Sequence, residues 1–466
     1  MDNMNDMDNE ILNEIIDEFK ALTLIPRKSH NEKAVSDYLV SRFTKEGYSV
    51  YQDEVLNVIA EKKVNDSDDF IILQGHMDMV CTFDDGINFD PIKDHVEMII
   101  EGNNMHSKGT TLGADDGIGI AMALVLSKHV DKNIRIICTV DEEDGMTGAI
   151  ALDNKYLQGK YLVNIDWEDF DSICNSSASG RNVFTEKKLN LVSDFDMTNK
   201  SLLELSIKGL EGGHSGCDID KDRTNAIRVI CEFLNKELDN NMQFNISSIN
   251  GGSASNAIPI KCIAKVVVND SDKDKFINDF NELKNNHKDG DKFNVTELND
   301  KDFNVMSLDD SKEVVRFVSQ VINGVYSMEP KFNIVESSSN IGTIETKGDI
   351  LTTNSLLRSC NDQKRDEIYN NYVTLAKENN FSHKILSDNP SWPIKEGKIA
   401  DLMIKAYNYV NNMDTKLVQV HAGLECSYFS VKNRDLDMIS VGPTIQGAHT
   451  PCETLKLDTV MPIYKM

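Results

Sequence analysis

The chain has 466 residues, of which 40% are hydrophobic and 27% charged, and it carries a formal net charge of −27. That length exceeds one ordinary core and calls for two or three domains, while the acidic excess argues against binding a phosphate backbone. No apolar run reaches the length of a membrane span.

The first 19 residues are acidic and lack the basic start and apolar core of a secretion signal. Ile11, Ile15, Ile16 and Phe19 instead have helical spacing, so an amphipathic helix opens the fold. Stretches 48–62, 69–80, 133–143 and 160–168 read as strands, and 116–130 as a largely buried helix between the second and third. Strands joined by helical crossovers indicate an α/β sheet with substantial parallel pairing.

From about residue 190 the pattern turns polar and α+β. Strands are expected at 201–210, 243–252 and 258–269, with helices at 223–238 and 273–287. A second set follows: a helix in 307–326, strands at 331–345 and 349–359, and a helix at 362–379, which suggests one α+β unit used twice. Two prolines and a tryptophan in 387–394 mark a return linker, after which 397–457 is again α/β. The expected organisation is a catalytic domain of residues 1–189 and 393–466, with residues 190–392 inserted in it. Nine cysteines (81, 138, 174, 217, 231, 262, 360, 426 and 452) form no C-x-x-C pair. They read as free thiols in a reducing, cytoplasmic setting.

Acidic and histidine residues recur where the apparent strands end. They are His76 and Asp78 in GHMDMV, Asp115 and Asp116 in TTLGADDGIG, Asp141, Glu142 and Glu143 in VDEEDGMTGA, Asp166 in VNIDWED, and His449 in GPTIQGAHTPCE. Ligands bind at the carboxyl ends of strands in open α/β sheets. Imidazole nitrogen with carboxylate oxygen suits zinc, manganese or cobalt. Two close cations in a hydrolase need a shared carboxylate, further ligands for each, and a separate base. Period-2 geometry would place Asp78 on the same face as His76.

These motifs, with GLEGGHSGCDI, GGSASNAIP and HAGLECSYF, resemble the M20 metallopeptidase family, and within it the cytosolic non-specific and aminoacyl-histidine dipeptidases. The resemblance spans nearly the whole chain. It implies a phosphorylase/hydrolase-like catalytic domain, a mixed sheet flanked by helices with a di-metal site at its strand ends, and an inserted α+β lid that looks doubled. One divalent ion, most simply Zn2+ with Mn2+ or Co2+ as substitutes, would be held by His76 and Asp166. The second would be held by Glu143 and His449, and Asp115 would bridge the two. Glu142 would be the general base, and Asp78 would orient His76 through its other ring nitrogen. His214 would donate to the developing oxyanion. Asn256, Arg358 and the backbone near Gly423 would position substrate, with Arg358 on its terminal carboxylate. The peptide bond after Asp115 would be cis. Asp116 stands where relatives often have asparagine, and Ser427 where they have glycine; neither change removes a catalytic group.

The implied activity is hydrolysis of unblocked dipeptides, including Xaa-His and β-alanyl-histidine. A carboxypeptidase or N-acyl amino acid deacylase would share the metal centre; the length of the insertion favours the dipeptidases. An inactive metal-binding module would have no need of Glu142, and a two-metal phosphoesterase would want a glycine-rich or basic phosphate cradle that is not seen. The expected partner is a small peptide, with no nucleic acid or membrane. A doubled lid would let His214 act in cis, so monomer and homodimer both stay open.

Overall fold

The computed structural model of the chain describes residues 6–67, 69–192, 195–300, 303–330, 334–395 and 397–466. The chain forms two compact units. The first takes the chain up to Ser177 together with Trp392–Gln419 and Leu424–Met466, and the second takes Ala178–Ser391 and Val420–Gly423.

The first unit opens with helix α1 (Asp6–Thr23), whose buried stripe runs through Leu12, Ile15, Phe19 and Leu22. Ile11 and Ile16 pack at its edge. Helix α2 (Lys33–Lys45) follows. Stretch 48–62 resolves into two antiparallel strands, β1 (Ser49–Gln52) and β2 (Val58–Lys62). Asp53 makes the turn between them by accepting hydrogen bonds from Val55 N and Asn57 N. Strand β3 (Ile71–His76) leads to α3 (Ala114–His129), then to β4 (Ile134–Thr139), β5 (Tyr161–Asn164) and β6 (Ser172–Ser177). β3 lies between β4 and β5 and is parallel to both. Helix α3 is apolar all round and sends Ile118, Ala121 and Val125 into one core cluster and Ile120, Ala123 and Leu124 into another. That explains how a helix without an amphipathic pattern is stable here.

The second unit starts with β7 (Ser179–Lys188), ahead of the change in composition near residue 190, because this strand pairs with others of the second sheet. There follow β8 (Lys200–Lys208), α4 (Ala226–Asp239), β9 (Phe244–Gly252), β10 (Lys261–Asn269), α5 (Asp270–Asn286) and β11 (Phe293–Leu298). Then come α6 (Leu308–Gln320), β12 (Ile334–Lys347), β13 (Ile350–Ser359), α7 (Asp362–Glu378) and β14 (Ser382–Asn389). Residues 331–333 of the expected strand 331–345 lie outside the described residues. The strand order is β11-β8-β10-β9-β12-β13-β7-β14.

Counted within each half, that order is fourth, first, third, second strand for β8–β11. It is the same, read from the other edge, for β7, β12, β13 and β14. The doubled unit is therefore two βαββαβ motifs sharing one sheet, joined where β9 pairs with β12. The first motif is inserted between the first strand and first helix of the second, which is why the sequence shows no simple tandem repeat.

The chain returns to the first unit through α8 (Lys398–Asn411), β15 (Lys416–Val420), α9 (Cys426–Lys432), β16 (Asp437–Ser440) and α10 (Val460–Lys465). The first sheet runs β1-β2-β4-β3-β5-β16-β6-β15, with β4, β3, β5 and β16 parallel at its centre and β2 antiparallel to β4. It is thus a mixed sheet flanked by helices. Among the described residues, no helix is long and apolar enough to cross a membrane.

Candidate metal centre

His76 is the last residue of β3, Asp141–Glu143 follow β4, Asp166 follows β5, and Asp115 lies in the first turn of α3. The parallel strands therefore deliver these groups to one end of the sheet. The peptide bond between Asp115 and Asp116 is cis, as the resemblance implied.

Asp115 is the hinge of the cluster. Its Oδ1 is 3.0 Å from His76 Nε2, and its Oδ2 is 3.0 Å from His449 Nε2. His76 Nε2 is also 3.1 Å from Asp166 Oδ1, and His449 Nε2 is 3.0 Å from Glu143 Oε2. Two triads result, His76–Asp115–Asp166 and Asp115–Glu143–His449, each with its ligand atoms within 4.8 Å of one another. A third grouping of the same closeness joins Glu142 to His76 and Glu143.

The donor set fits divalent cations. His76 Nε2 carries at most one proton yet faces carboxylate oxygens of two residues, and Glu143 Oε1 is buried without a hydrogen-bond donor. Burial pushes the Asp166, Glu142 and Glu143 carboxyls up, and neighbouring carboxylates add to the push. Burial also opposes ionisation of Asp115, but its hydrogen bonds to His449 and His76 outweigh that and hold it low. Contacts with Asp115 and Glu143 raise His449 to about 11. Carboxylates so crowded in a buried site call for positive charge between them.

Asp78 is fully buried, with Oδ1 at 3.4 Å from His76 Nδ1. Its carboxylate does more than face the imidazole. It accepts hydrogen bonds from Ser29 Oγ at 2.8 Å and from the backbone N–H of Glu142 at 3.1 Å. Burial alone would raise its pKa, but His76 and these donors bring it below the ordinary value. Asp116 turns toward β3 and accepts from His76 N at 3.2 Å. Its carboxylate lies against Gly75 and Gly119, where a Cβ would meet it at 2.0 Å.

Two supports escaped sequence reading. Glu453, fully buried, accepts from the backbone N–H of Leu112, Gly113, Ala114 and Asp115 at 2.7–3.3 Å. It satisfies the open donors at the start of α3 and so fixes the shared carboxylate. Arg27, also buried, donates to Met77 O, Asp78 O and Gly113 O, tying the loop after β3 to the loop before α3. Glu453 sits inside the TPCETL stretch and could have been suspected; a lone arginine in IPRKSH gives no signal.

The remaining candidates lie in the second unit. His214 Nδ1 accepts from the backbone N–H of Gly216 and Cys217, at 3.3 and 3.2 Å, which leaves the proton on Nε2. Arg358 Nη2 lies 3.3 Å from that Nε2. Arg358, on β13, is buried, its Nε has no acceptor, and burial brings it down to about 10. His421 Nε2 is 2.7 Å from Ser338 Oγ, and burial, helped by the charge of Arg358, holds it down to about 3. Among the described residues no carboxylate pairs with the Arg358 guanidinium, whereas His214 N donates to Asp218 Oδ2 at 2.8 Å. Asn256 is exposed and contributes its backbone carbonyl to Ser215 N. Gly423 ends the short segment Val420–Gly423 of this unit.

Residues 72–466 match the model of peptidase family M20/M25/M40. The chain is 29% identical over 462 residues to the cytosol non-specific dipeptidase of Escherichia coli (strain K12), covering 95% of this chain and 94% of that protein. The crystal structure of aminoacylhistidine dipeptidase from Vibrio alginolyticus aligns with a TM-score of 0.84 at 30% identity, over 97% of this chain and 94% of that one. Aminopeptidase PepT from Bacillus cereus ATCC 10987 aligns at 16% identity with a TM-score of 0.56, over 97% of each chain, and shares the fold.

Proposed function

The chain belongs to peptidase family M20/M25/M40, and on that premise we propose that it is a di-metal dipeptidase hydrolysing unblocked dipeptides of broad composition, aminoacyl-histidines and β-alanyl-histidine among them. The observation that carries the reading is the pair of triads sharing Asp115. His76 and Asp166 would hold one cation, Glu143 and His449 the other, with Asp115 common to both; zinc is the first choice, and manganese and cobalt suit the same donors. When bound, such cations polarise the scissile carbonyl and lower the pKa of water.

The chain's own groups do the rest. Glu142 accepts the proton of the attacking water at its carboxylate and passes it to the leaving amine. Asp78 fixes His76 and the Glu142–Glu143 backbone together. His214 Nε2–H donates to the oxygen of the scissile carbonyl as it gains charge. Arg358, a buried cation whose Nε has no acceptor among the described residues, takes the substrate's terminal carboxylate. Two donors 3.3 Å apart, Arg358 Nη2 and His214 Nε2–H, suit anionic oxygens of a substrate. Asn256 and the backbone near Gly423 would complete substrate positioning.

The test is hydrolysis by the metal-reconstituted protein of free dipeptides, the matching tripeptide, an N-acetylated amino acid and an N-blocked dipeptide. Cleavage of free dipeptides alone, abolished by a chelator, is expected. Preference for N-acylated substrates would keep the metal centre and move the activity to deacylase or carboxypeptidase.

A further inference from the structure

One fully buried carboxylate beside the metal centre has no part in the reaction described. Glu425, at the start of α9, is 0% exposed. Its Oε2 accepts two hydrogen bonds, from Gln74 Nε2 at 2.5 Å and from Thr139 Oγ1 at 2.7 Å. Its Oε1 is buried and has no donor. Gln74 reaches further: its Oε1 accepts from Asn164 Nδ2 at 2.8 Å, and Asn164 Oδ1 accepts from Ser440 Oγ.

The positions of these partners are what matter. Gln74 lies two residues before His76 on β3, while Thr139 and Asn164 are the last residues of β4 and β5, just ahead of Glu142–Glu143 and of Asp166. Gln74 shares a face with His76, and hydrogen bonds join it to Glu425, Thr139 and Asn164, so a connected polar layer takes one residue from each strand that leads into the site. An apolar layer would fill that space without cost. Burial pushes the Glu425 carboxyl up to about 7 despite its two donors, so keeping an acid there is an expense that filling space does not require.

We propose that Glu425 is a positioning residue for the metal centre: through Oε2 it holds Gln74 and Thr139, and through Gln74 also Asn164, so that the strand ends carrying His76, Glu142–Glu143 and Asp166 keep one spacing. The inference rests on the metal-centre reading. Supports of metal ligands are worth about 10–100-fold in affinity when removed, and Glu425 acts one step further out, so about tenfold is expected.

The experiment is calorimetric titration of Zn2+ into the chelator-stripped full chain. Glu425→Ala should bind zinc about tenfold more weakly while keeping the wild-type circular dichroism spectrum. Glu425→Gln, whose amide oxygen can accept both bonds, should restore the affinity. A folded Glu425→Ala with wild-type zinc affinity, or a Glu425→Gln as weak as the alanine variant, overturns the proposal. Should Glu425→Ala not fold, Thr139→Val removes one donor to Oε2 and must weaken zinc binding by itself; wild-type affinity there overturns the proposal equally. His76→Ala is the control: unchanged zinc binding in that variant would instead remove the metal-centre reading underneath.

Discussion

The two units gather their chemistry in opposite ways. The first brings five acidic groups, Asp78, Asp115, Glu142, Glu143 and Asp166, around two histidines at the end of a parallel sheet. The second brings Arg358, His214 and His421 together, and among the described residues no carboxylate pairs with the Arg358 guanidinium. Excess negative charge calls for cations, whereas a buried guanidinium beside an imidazole N–H calls for an anionic oxygen. A peptide carries both needs, a carbonyl to be polarised and a carboxylate to be held. The difference separates the candidate metal centre from the groups proposed to meet the substrate's oxygens, so variants of the second unit should keep their metal.

Glu142→Ala should have the largest effect on turnover, a fall in kcat of about 10²–10⁴-fold, because it removes the proposed general base. Metal content measured by atomic absorption should stay at the wild-type value; a near-native rate would remove Glu142 from its role. His214→Ala should lower kcat by about 10²–10³-fold, the size of losing one oxyanion donor, again with metal retained. Loss of metal in that variant would erase the division between the units. Arg358→Met should raise KM for free dipeptides by about 10–100-fold, the worth of a hydrogen bond to a charged group. C-terminally amidated dipeptides should be little affected, and equal effects on both substrates would disprove the carboxylate role.

The smallest expected effect concerns pH. His421 is held down to about 3 in the folded chain, while an unfolded histidine titrates near 6.5. Between those values the unfolded chain binds the extra proton, so the stability His421 contributes is intact above about pH 6.5 and falls as pH drops. The slope is at most about 1.4 kcal/mol per pH unit. Denaturant unfolding at pH 7 and pH 5 should show a smaller loss for His421→Gln than for wild type.

Much of the first site was legible in the sequence because each candidate ligand lies at the end of a local pattern. A β-branched run stops, and an acid or histidine follows within a few residues, as at His76, Asp141 and Asp166. The supports were not legible. Glu453 caps α3 from more than 300 residues away, and Glu425 reaches Gln74 across 351 positions. Their partners are backbone N–H groups and amides that leave no mark in composition. In the second unit, His214 stood out through its glycine-rich loop. The gathering of Arg358, Ser338 and His421 depends on strand register and on the short segment 420–423 joining that unit, which no local window reveals. The doubled motif was visible only as a recurrence of strands and helices, because one copy interrupts the other.

The central claim is that two cations share Asp115. The most direct measurement is anomalous diffraction at the zinc edge from crystals of the zinc-loaded protein. The account predicts two peaks, one within coordination distance of His76 and Asp166, the other of Glu143 and His449, with Asp115 reaching both. A single peak, or a second one away from Glu143 and His449, would contradict it.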